Sequence, residues 1–443
     1  METLGSLSRR RGAPGPGSRP PKSGGLARHL ELRAAQLRAL ALACMMLAQT
    51  ALAQAASKER VLYNFQRPDG LGPSASLIFD SAGNLYGTTY EGGAYRLYGT
   101  AFQLTPGSGG SRSESVLHSF SDSPDAAYPE ASLLMDASGN LYGTSLSGGD
   151  GQCIGGCGAI FELSYGADGN RSESVIHSFN GTDGWAPTGN LIMDSTGTLY
   201  GTTSFGGAHM AGTVFQLAQG PNGTWSETVL YDFQRNGRDG VGPCSGLIFD
   251  RAGNLYGTTY NGGPYGKGTV FELKPRSNGK WTEVVLHSFD GHDGAYLLAG
   301  LTLDSAGNLY GVCPNHGPHW RGTVFELTHG RDDRWTESIL YDFPTFSSGA
   351  GPVGDLIWDA TGSLYGATAR GGDAKPCQGG CGTVFKLSPS GNGAWTETVL
   401  YRFNGQDGNL PQAGLIWDAT GNLYGTTYYG GTYDSGTAFE LTP

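Results

Sequence analysis

The sequence predicts an all-β protein, a seven-bladed β-propeller, and three observations support this: the glycine content, the repeats and the strand-like character of each repeated element. Glycine accounts for 75 of the 443 residues, and each Gly in a helix interior costs about 1 kcal/mol relative to Ala. Aromatic residues make up 11% of the chain, which supplies a core and excludes general disorder. The net charge of −11 excludes a nucleic-acid binder that works through phosphate neutralisation.

Four sequence elements recur seven times each over residues 57–443, at a period of about 55 residues. Leu-Tyr-Gly begins at Leu85, Leu141, Leu199, Leu255, Leu309, Leu364 and Leu423. An Asp precedes each copy (Asp80 in the first), and Gly-Thr-Val-Phe-x-Leu or a variant follows it (Phe102 in the first). The fourth element, Glu-x-Val-Leu-Tyr-x-Phe or a variant, begins at Glu59, Glu114, Glu173, Glu227, Glu283, Glu337 and Glu397.

Each element predicts a strand, because β-branched and aromatic residues are bounded by Gly, Asn, Asp and Pro. A four-stranded unit of this length cannot bury both of its faces alone, whereas seven units arranged radially can. Residues 57–443 are therefore predicted to form one propeller domain with antiparallel blades. The repeated Asp is expected to accept backbone hydrogen bonds at the inner hairpin, and the repeated Glu to pair across the outer hairpin.

Two phases of the repeat are open. The repeats loosely resemble propeller repeats of the NHL kind, which implies that residues 77–80 are innermost, followed outward by 84–90, 99–104 and 112–120. In this phase the N-terminal strand, residues 59–65, is an outer strand that completes the last blade and closes the ring. In the alternative phase each blade begins at its Val-Leu-Tyr strand, and no such closure is needed.

Residues 1–56 predict a secretory signal peptide with a long basic n-region. Basic residues dominate positions 1–38, and an apolar run at 39–48 leads to an Ala-x-Ala exit. The apolar run is shorter than the roughly 20 residues that span a bilayer, so no membrane span is expected. Cleavage is predicted after Ala53 or Ala55, which gives a secreted protein, extracellular or periplasmic.

The repeats resemble the bacterial GloVer family, the Gloeobacter/Verrucomicrobia tandem repeat, also described as choice-of-anchor repeat proteins. The resemblance rests on units such as Gly-Asn-Leu-Tyr-Gly-Thr-Thr-Tyr-Asn-Gly-Gly at 253–263 followed by Gly-Thr-Val-Phe-Glu-Leu at 268–273, and it covers residues 59–443. It implies export, often with a variable C-terminal anchor. No anchor-like segment follows the last strand, so we expect a released protein. The resemblance carries no activity and no catalytic residues.

Ligand-binding residues are expected where the copies differ, in two sets of loops that share one face. One set joins each outer strand to the next inner strand and carries Asp-Gly; the other joins strands two and three and carries Gly-Gly. Aromatic rings and carboxylates in a water-exposed mouth suit sugar rings or peptide side chains. The alternative is that Asp-Gly serves only as turn chemistry. The candidates are Asp69, Asp183, Trp185, Asp239, Tyr260, Asp293, Tyr296, Trp320, Asp407, Tyr428 and Tyr429.

The fifth repeat departs most from the pattern, with Cys313, His316 and His319 at three-residue steps. Such residues could supply three ligands for Zn²⁺ or Ca²⁺ and leave an open position; no other cofactor is expected. Alternatively, Cys313 pairs with Cys244 in a disulfide, or the loop has no special role. Two small loop-closing disulfides, typical of exported proteins, are expected at Cys153 with Cys157 and at Cys377 with Cys381.

Three functions remain compatible with the sequence. We expect a monomeric binding module that recognises a carbohydrate, a peptide or a partner protein through its loop face, rather than an enzyme. The alternatives are an extracellular polysaccharide hydrolase or lyase that uses loop carboxylates such as Asp183, Asp293 and Asp407, and a structural envelope protein. No nucleophile elbow, phosphate loop or dinucleotide fingerprint occurs in residues 57–443, so catalytic residues are not assigned.

Signal-peptide cleavage can be tested on the chain produced in an exporting bacterial host. Mass spectrometry of the secreted protein should find a new N-terminus at Gln54 or Ala56, because signal peptidase cleaves after the small residues of an Ala-x-Ala exit. A product that retains residues 1–53 would contradict the prediction.

Overall fold

A computed structural model describes residues 57–166, 171–331, 334–372 and 376–443. In this part of the chain, seven four-stranded antiparallel sheets form the blades of a seven-bladed β-propeller. The predicted fold class is therefore confirmed. The predicted signal peptide, residues 1–56, lies outside the described residues.

Blades 1 to 7 are numbered by the order of their inner strands. The inner strands are Ile78–Phe79, Leu134–Met135, Ile192–Met193, Ile248–Phe249, Thr302–Leu303, Ala350–Trp358 and Ile416–Trp417. The second strands are Leu85–Thr89, Leu141–Ser145, Leu199–Thr203, Leu255–Thr259, Leu309–Cys313, Leu364–Arg370 and Leu423–Thr427. The third strands are Thr100–Pro106, Ala159–Tyr165, Thr213–Gln219, Thr269–Pro275, Thr323–His329, Thr383–Pro389 and Thr437–Thr442. The outer strands are Arg112–Ser119, Arg171–Ser178, Trp225–Asp232, Trp281–Ser288, Trp335–Asp342, Trp395–Arg402 and, for blade 7, Lys58–Asn64.

The N-terminal strand closes the ring. Lys58–Asn64 is the outer strand of the sheet whose other three strands are the last three of the chain. It runs antiparallel to Thr437–Thr442, with Lys58 opposite Thr442 and Asn64 opposite Thr437. The phase with N-terminal closure is thus confirmed. The alternative phase, in which each blade begins at its Val-Leu-Tyr strand, is wrong.

A pair of phenylalanines joins each blade to the next. Phe65 follows the outer strand of blade 7 and contacts Phe102, on the third strand of blade 1, with ring centroids 4.9 Å apart. Both rings are fully buried, and burial of one such side chain is worth about 1.5–3 kcal/mol. The other pairs are Phe120–Phe161, Phe179–Phe215, Phe233–Phe271, Phe289–Phe325, Phe343–Phe385 and Phe403–Phe439.

The glycine of each Leu-Tyr-Gly element makes room for these rings. A Cβ atom at Gly87 would lie 2.7 Å from Cζ of Phe102, which is closer than packed carbon atoms allow. The preceding tyrosine contacts the neighbouring blade, as in the edge-to-face contact of Tyr424 with Phe79 at 5.1 Å. The Gly therefore sets the close approach of ring and strand, and the Tyr adds a second contact between blades.

The repeated Asp fixes the inner hairpin, as expected. Oδ1 of Asp80 accepts hydrogen bonds from the N–H groups of Ala82 and Asn84, both at 2.9 Å. Oδ2 accepts from Nδ2 of Asn84 at 2.7 Å and from the hydroxyl of Tyr86 at 3.0 Å. Burial raises the pKa of the Asp80 carboxyl, but these hydrogen bonds outweigh burial and hold the pKa below its ordinary value.

Two disulfides brace the loops between the second and third strands of blades 2 and 6. Cys153 is bonded to Cys157, and Cys377 to Cys381, as predicted. Cys244 and Cys313 are free thiols, so the alternative pairing of these two residues is wrong. In the part of the chain that the structure describes, no helix has the length and apolar character needed to cross a bilayer.

Ring closure can be tested with two substitutions on the N-terminal segment. Phe65→Ala removes a fully buried ring and should lower the free energy of unfolding by about 3–5 kcal/mol. Arg60→Ala removes a half-exposed ion pair, in which Nη2 of Arg60 lies 2.7 Å from Oε2 of Glu440, and should cost less than about 1 kcal/mol. Chemical denaturation of both variants measures the difference. Equal losses of unfolding free energy in the two variants would contradict the conclusion that the buried Phe65 ring holds the N-terminal strand in blade 7.

Candidate functional site

Two sets of loops meet on one face of the propeller, here called the loop face. Loops between an outer strand and the next inner strand pair with loops between the second and third strands. The pairs are Ala126–Ala127 with Ser147–Gly148, Gly240–Val241 with Asn261–Gly262, Leu71 with Glu91, Trp185 with Phe205, Ala295 with Asn315, Asn409 with Tyr429, and in blade 6 Ala350 with Arg370. The shared loop face is thus confirmed.

A cavity of about 900 Å³, here called the central chamber, is lined by residues of all seven blades. One position of the repeat supplies one wall residue per blade: Ser74, Glu130, Thr188, Cys244, Leu298, Val353 and Gln412. Blades 7, 1, 2 and 3 contribute hydroxyl, carboxyl and amide groups, whereas blades 5 and 6 contribute aliphatic side chains. At this repeat position, the polar wall residues therefore lie on one side of the chamber and the aliphatic ones on the other.

A second ring of residues also lines the chamber. It consists of Ser76, Ser132, Asn190, Gly246, Gly300, Asp355 and Gly414. Oγ of Ser132 accepts a hydrogen bond from the N–H group of Ser76 at 3.0 Å, and Oδ1 of Asn190 accepts one from the N–H group of Ser132 at 2.8 Å. Oδ1 of Asp355 accepts one from the N–H group of Gly300 at 2.7 Å. These bonds tie the inner edges of neighbouring blades together.

Aromatic and basic side chains form the rim of the chamber. Trp320 is 74% exposed, Phe346 49% and Tyr429 40%, and all three line the chamber. The guanidinium of Arg321 lies 4.8 Å from the ring centre of Phe346. Tyr428, also predicted as a ligand residue, lines the chamber beside Tyr429. Large exposed rings around a concave site are typical of binding surfaces.

Three predicted ligand residues fall into one row of rings at the loops of blades 4 and 5. The ring centroids of Tyr260 and Tyr296 lie 5.2 Å apart. His316 lies next, 5.4 Å from Tyr296 and 4.8 Å from Trp320. The row therefore ends at the exposed Trp320 on the chamber rim. His316 was predicted as a metal ligand, and its ring is part of this row.

One loop position holds a positive φ angle in all seven blades. Gly72, Tyr128, Ala186, Gly242, Tyr296, Gly351 and Leu410 have φ between 57° and 69°. A non-glycine residue in this region is strained by about 1–2 kcal/mol. Glycine would relieve that strain at Tyr128 and Tyr296, as it does at Gly72. Tyr128 and Tyr296 adopt this conformation, as do Ala186 and Leu410 at the same position of other blades.

The predicted Asp residues are held within their own blades. Oδ2 of Asp239 accepts hydrogen bonds from the N–H group of Gln234 at 2.9 Å and the hydroxyl of Tyr231 at 3.0 Å. The following Gly is needed for packing, since a Cβ atom at Gly70 would lie 2.4 Å from Cγ2 of Thr89. In the other blades a backbone N–H group of the same turn donates to Oδ1 of the Asp, at Asp69, Asp183, Asp293 and Asp407. This geometry favours turn chemistry for the Asp residues.

Trp185, another predicted ligand residue, contacts Phe205, with ring centroids 5.5 Å apart.

Each of these Asp residues also faces a Glu of the next blade. A blade junction is defined here as the outer-strand Tyr or His of one blade, the Asp that follows it, and the outer-strand Glu of the next blade. At the junction of blades 5 and 6, where Ser348 replaces Asp, the hydroxyl of Tyr341 donates to Oε2 of Glu397 at 3.3 Å. The expected pairing of the Glu across its own hairpin is therefore wrong, because the carboxyl faces the preceding blade.

The junction Glu carboxyls are in an unfavourable place for a negative charge. In all seven, Oε1 is buried without a hydrogen-bond partner. Burial, with a smaller contribution from the charge of Asp69, raises the pKa of Glu114 to about 7. Burial and the charge of Asp239 raise the pKa of Glu283 to about 8. These carboxyls favour the protonated form up to neutral pH.

The predicted metal ligands of blade 5 have separate partners. Cys313 is fully buried in the second strand. Nδ1 of His319 is hydrogen-bonded to Oδ2 of Asp342, and His316 lies between Tyr296 and Trp320. The structure does not bring the three side chains together around one point. A shared ion would require them to rearrange.

Several chamber residues were missed by the sequence analysis. Glu130, Gln412 and Asp355 line the chamber, and so do Phe346 and Arg370. Each stands at a repeat position where the residue type changes from blade to blade. An alignment of the seven copies shows that these positions vary, but only the structure shows that they line one cavity.

The fold and its variable loop face define a β-propeller of the kind that serves as an interaction scaffold. The Gloeobacter/Verrucomicrobia repeat model matches residues 50–166, 151–375 and 331–443. The chain therefore belongs to the Gloeobacter/Verrucomicrobia repeat family. No curated protein matches the chain.

The raised pKa values of the junction Glu residues predict a pH dependence of stability. A carboxyl whose pKa rises from 4.5 to about 7 on folding stabilises the fold fully at acid pH, and this contribution is lost as pH rises through about 7. The midpoint temperature of unfolding should thus fall between about pH 5 and about pH 8. After allowance for solvent screening, each carboxyl should contribute about 1 kcal/mol.

The double variant Glu114→Gln, Glu283→Gln tests the assignment, since Gln is neutral at every pH and similar in shape. Both residues face Tyr junctions, so no His titrates beside them. The variant should unfold at a temperature that depends less on pH than that of the unmodified chain, as measured by scanning calorimetry. A pH dependence equal to that of the unmodified chain would contradict the assignment.

Proposed function

We propose that the protein is an exported carbohydrate-binding module whose ligand, a neutral oligosaccharide, binds in the central chamber and along the row of rings that ends at Trp320. The observation that carries the proposal is the exposed Trp320 ring beside a chamber with one polar side. Export is supported by the predicted signal peptide and the two disulfides.

The rim supports stacking of sugar rings. A sugar presents C–H groups on its faces, which pack against aromatic rings, and hydroxyl groups at its edge. Trp320 is 74% exposed, so its apolar ring is available to pack against the face of a sugar. Tyr260, Tyr296 and His316 extend the aromatic surface over more than one sugar unit.

The chamber wall supports hydrogen bonds to hydroxyl groups. Ser74, Thr188 and Gln412 offer uncharged donors and acceptors. Burial raises the pKa of Glu130, so this carboxyl is more readily protonated and can donate to a hydroxyl as well as accept. A wall with these groups suits neutral sugars better than polyanions. The volume of about 900 Å³ is within the range of pockets for small molecules.

Titration calorimetry with neutral gluco-, xylo- and manno-oligosaccharides tests the proposal, with acidic uronate oligomers in parallel. At least one neutral series should bind. Trp320→Ala should weaken that binding at least ~10-fold, since loss of about 1.4 kcal/mol of stacking is a factor of ten. Tyr265→Ala is the matched control, because Tyr265 is a 61% exposed ring of the neighbouring blade outside the chamber lining.

Two outcomes would overturn the proposal. One is that no neutral oligosaccharide binds; binding of uronates alone would belong to this outcome and would direct attention to Arg321 and Arg370 on the rim. The other is that Trp320→Ala binds as tightly as Tyr265→Ala. Cleavage products in the same mixtures would show an enzyme instead of a binding module.

A further inference from the structure

Three blade junctions carry His in place of Tyr, and each of these brings three metal-binding side chains together. His177 on the outer strand of blade 2, Asp183 on the following loop and Glu227 on the outer strand of blade 3 have ligand atoms within 4.8 Å of one another. The same holds for His118, Asp125 and Glu173, and for His287, Asp293 and Glu337. We propose that these three junctions each bind a divalent transition-metal ion that links neighbouring blades.

The junction of blades 2 and 3 shows most clearly that a partner is needed. Nε2 of His177 and Oε1 of Glu227 are both buried without a hydrogen-bond partner, and an unpaired buried polar group is destabilising. Nε2 of His177 lies 3.4 Å from Oδ2 of Asp183. Two ligands bound tetrahedrally to one ion at about 2.1 Å are separated by about 3.4 Å. One ion would satisfy both unpaired atoms.

The Asp of this junction is held in position by Asn180. Oδ1 of Asp183 accepts a hydrogen bond from the N–H group of Asn180 at 2.9 Å. Oδ2 accepts one from Nδ2 of Asn180 at 2.7 Å. Carboxylate ligands of metal ions are commonly oriented by such second hydrogen bonds. Asn180 therefore fixes the carboxylate while a lone pair of Oδ2 stays available to an ion.

The Tyr junctions show that the fold itself does not require His. At the junction of blades 3 and 4, the hydroxyl of Tyr231 donates to Oδ2 of Asp239 at 3.0 Å. At the junction of blades 7 and 1, the hydroxyl of Tyr63 donates to Oδ2 of Asp69 in the same way. At two His junctions the imidazole takes the place of the phenol, with Nε2 of His118 3.2 Å from Oδ2 of Asp125 and Nε2 of His287 2.8 Å from Oδ2 of Asp293. An imidazole, unlike a neutral phenol, is a common metal ligand. The His junctions thus differ from the Tyr junctions in the donor set that an ion needs.

The His junctions are accessible from solvent. A surface groove of about 590 Å³ is lined by Asp125 and Glu173 of one His junction and by His177 of the next. One imidazole and two carboxylates suit Zn²⁺ or Mn²⁺, and water can occupy the remaining positions. Because the ligands come from two blades, a bound ion would cross-link those blades.

Substituting each His by Tyr tests the proposal without disturbing the fold, since Tyr stands at this position in four blades. The full chain, purified without a polyhistidine tag and treated with a chelator, is titrated with Zn²⁺ and with Mn²⁺ by calorimetry. At least one of the two ions should bind at three sites per chain. His118→Tyr, His177→Tyr and His287→Tyr should each remove one site, and the triple variant should remove all three.

Thermal unfolding gives an independent readout of the cross-link. The midpoint temperature of the unmodified chain should rise with the concentration of the ion, and that of the triple variant should not. His319→Ala is the control, because His319 is an exposed histidine outside the junctions; it should keep all three sites. Lack of binding of both ions, or unchanged stoichiometry in the triple variant, would overturn the proposal. No oligosaccharide is involved, so the result is independent of the carbohydrate proposal.

Discussion

The burial of one phenylalanine pair between every two neighbouring blades is the interaction on which the rest of the structure depends. The ring centroids of the seven pairs lie between 4.8 and 5.4 Å apart. A single blade cannot bury both of its faces, so each pair stabilises two blades at once. The pair Phe65–Phe102 exists only because the N-terminal strand joins blade 7. Closure therefore completes the core and leaves no blade face without a partner.

The residues at the inner edges of the blades can vary because the packing of the phenylalanine pairs between the blades is constant. In most blades the hydroxyl of a second-strand Thr donates a hydrogen bond to a backbone carbonyl of the next blade. Oγ1 of Thr88, for example, donates to the carbonyl of Ala131 at 3.2 Å. Val312 and Ala367 replace that Thr in blades 5 and 6. The same two blades supply the aliphatic wall of the chamber and much of its aromatic rim. The two blades in which the repeated Thr hydrogen bond is replaced are therefore the ones that supply the aliphatic and aromatic residues of the chamber.

The loop face shows how one type of turn can have two uses. Asp-Gly fixes the loop, because the Asp accepts bonds from its own turn and the Gly lies against a Thr of the second strand, as at Gly70 and Thr89. The same Asp carboxylate then faces the Glu of the next blade. With Tyr beside it the Asp accepts a hydrogen bond from the phenol, as Asp239 does from Tyr231, and with His beside it the group contains the three side chains proposed as metal ligands. A single substitution separates the two.

The repeat by itself determined the number of blades and the strands of each blade, because seven copies of one pattern leave few ways to bury their apolar faces. The spacing of the cysteines predicted the two disulfides, and the loop positions of Tyr260, Tyr296 and Trp320 made them candidates for ligand binding. The choice between the two phases, and with it the closure of the ring, came from the pairing of Lys58–Asn64 with Thr437–Thr442. Only the tertiary structure showed that Glu130, Thr188 and Gln412 share one wall, since they lie a full repeat or more apart in the chain. It alone placed His177 against Glu227, because a contact between blades joins residues that no local spacing relates.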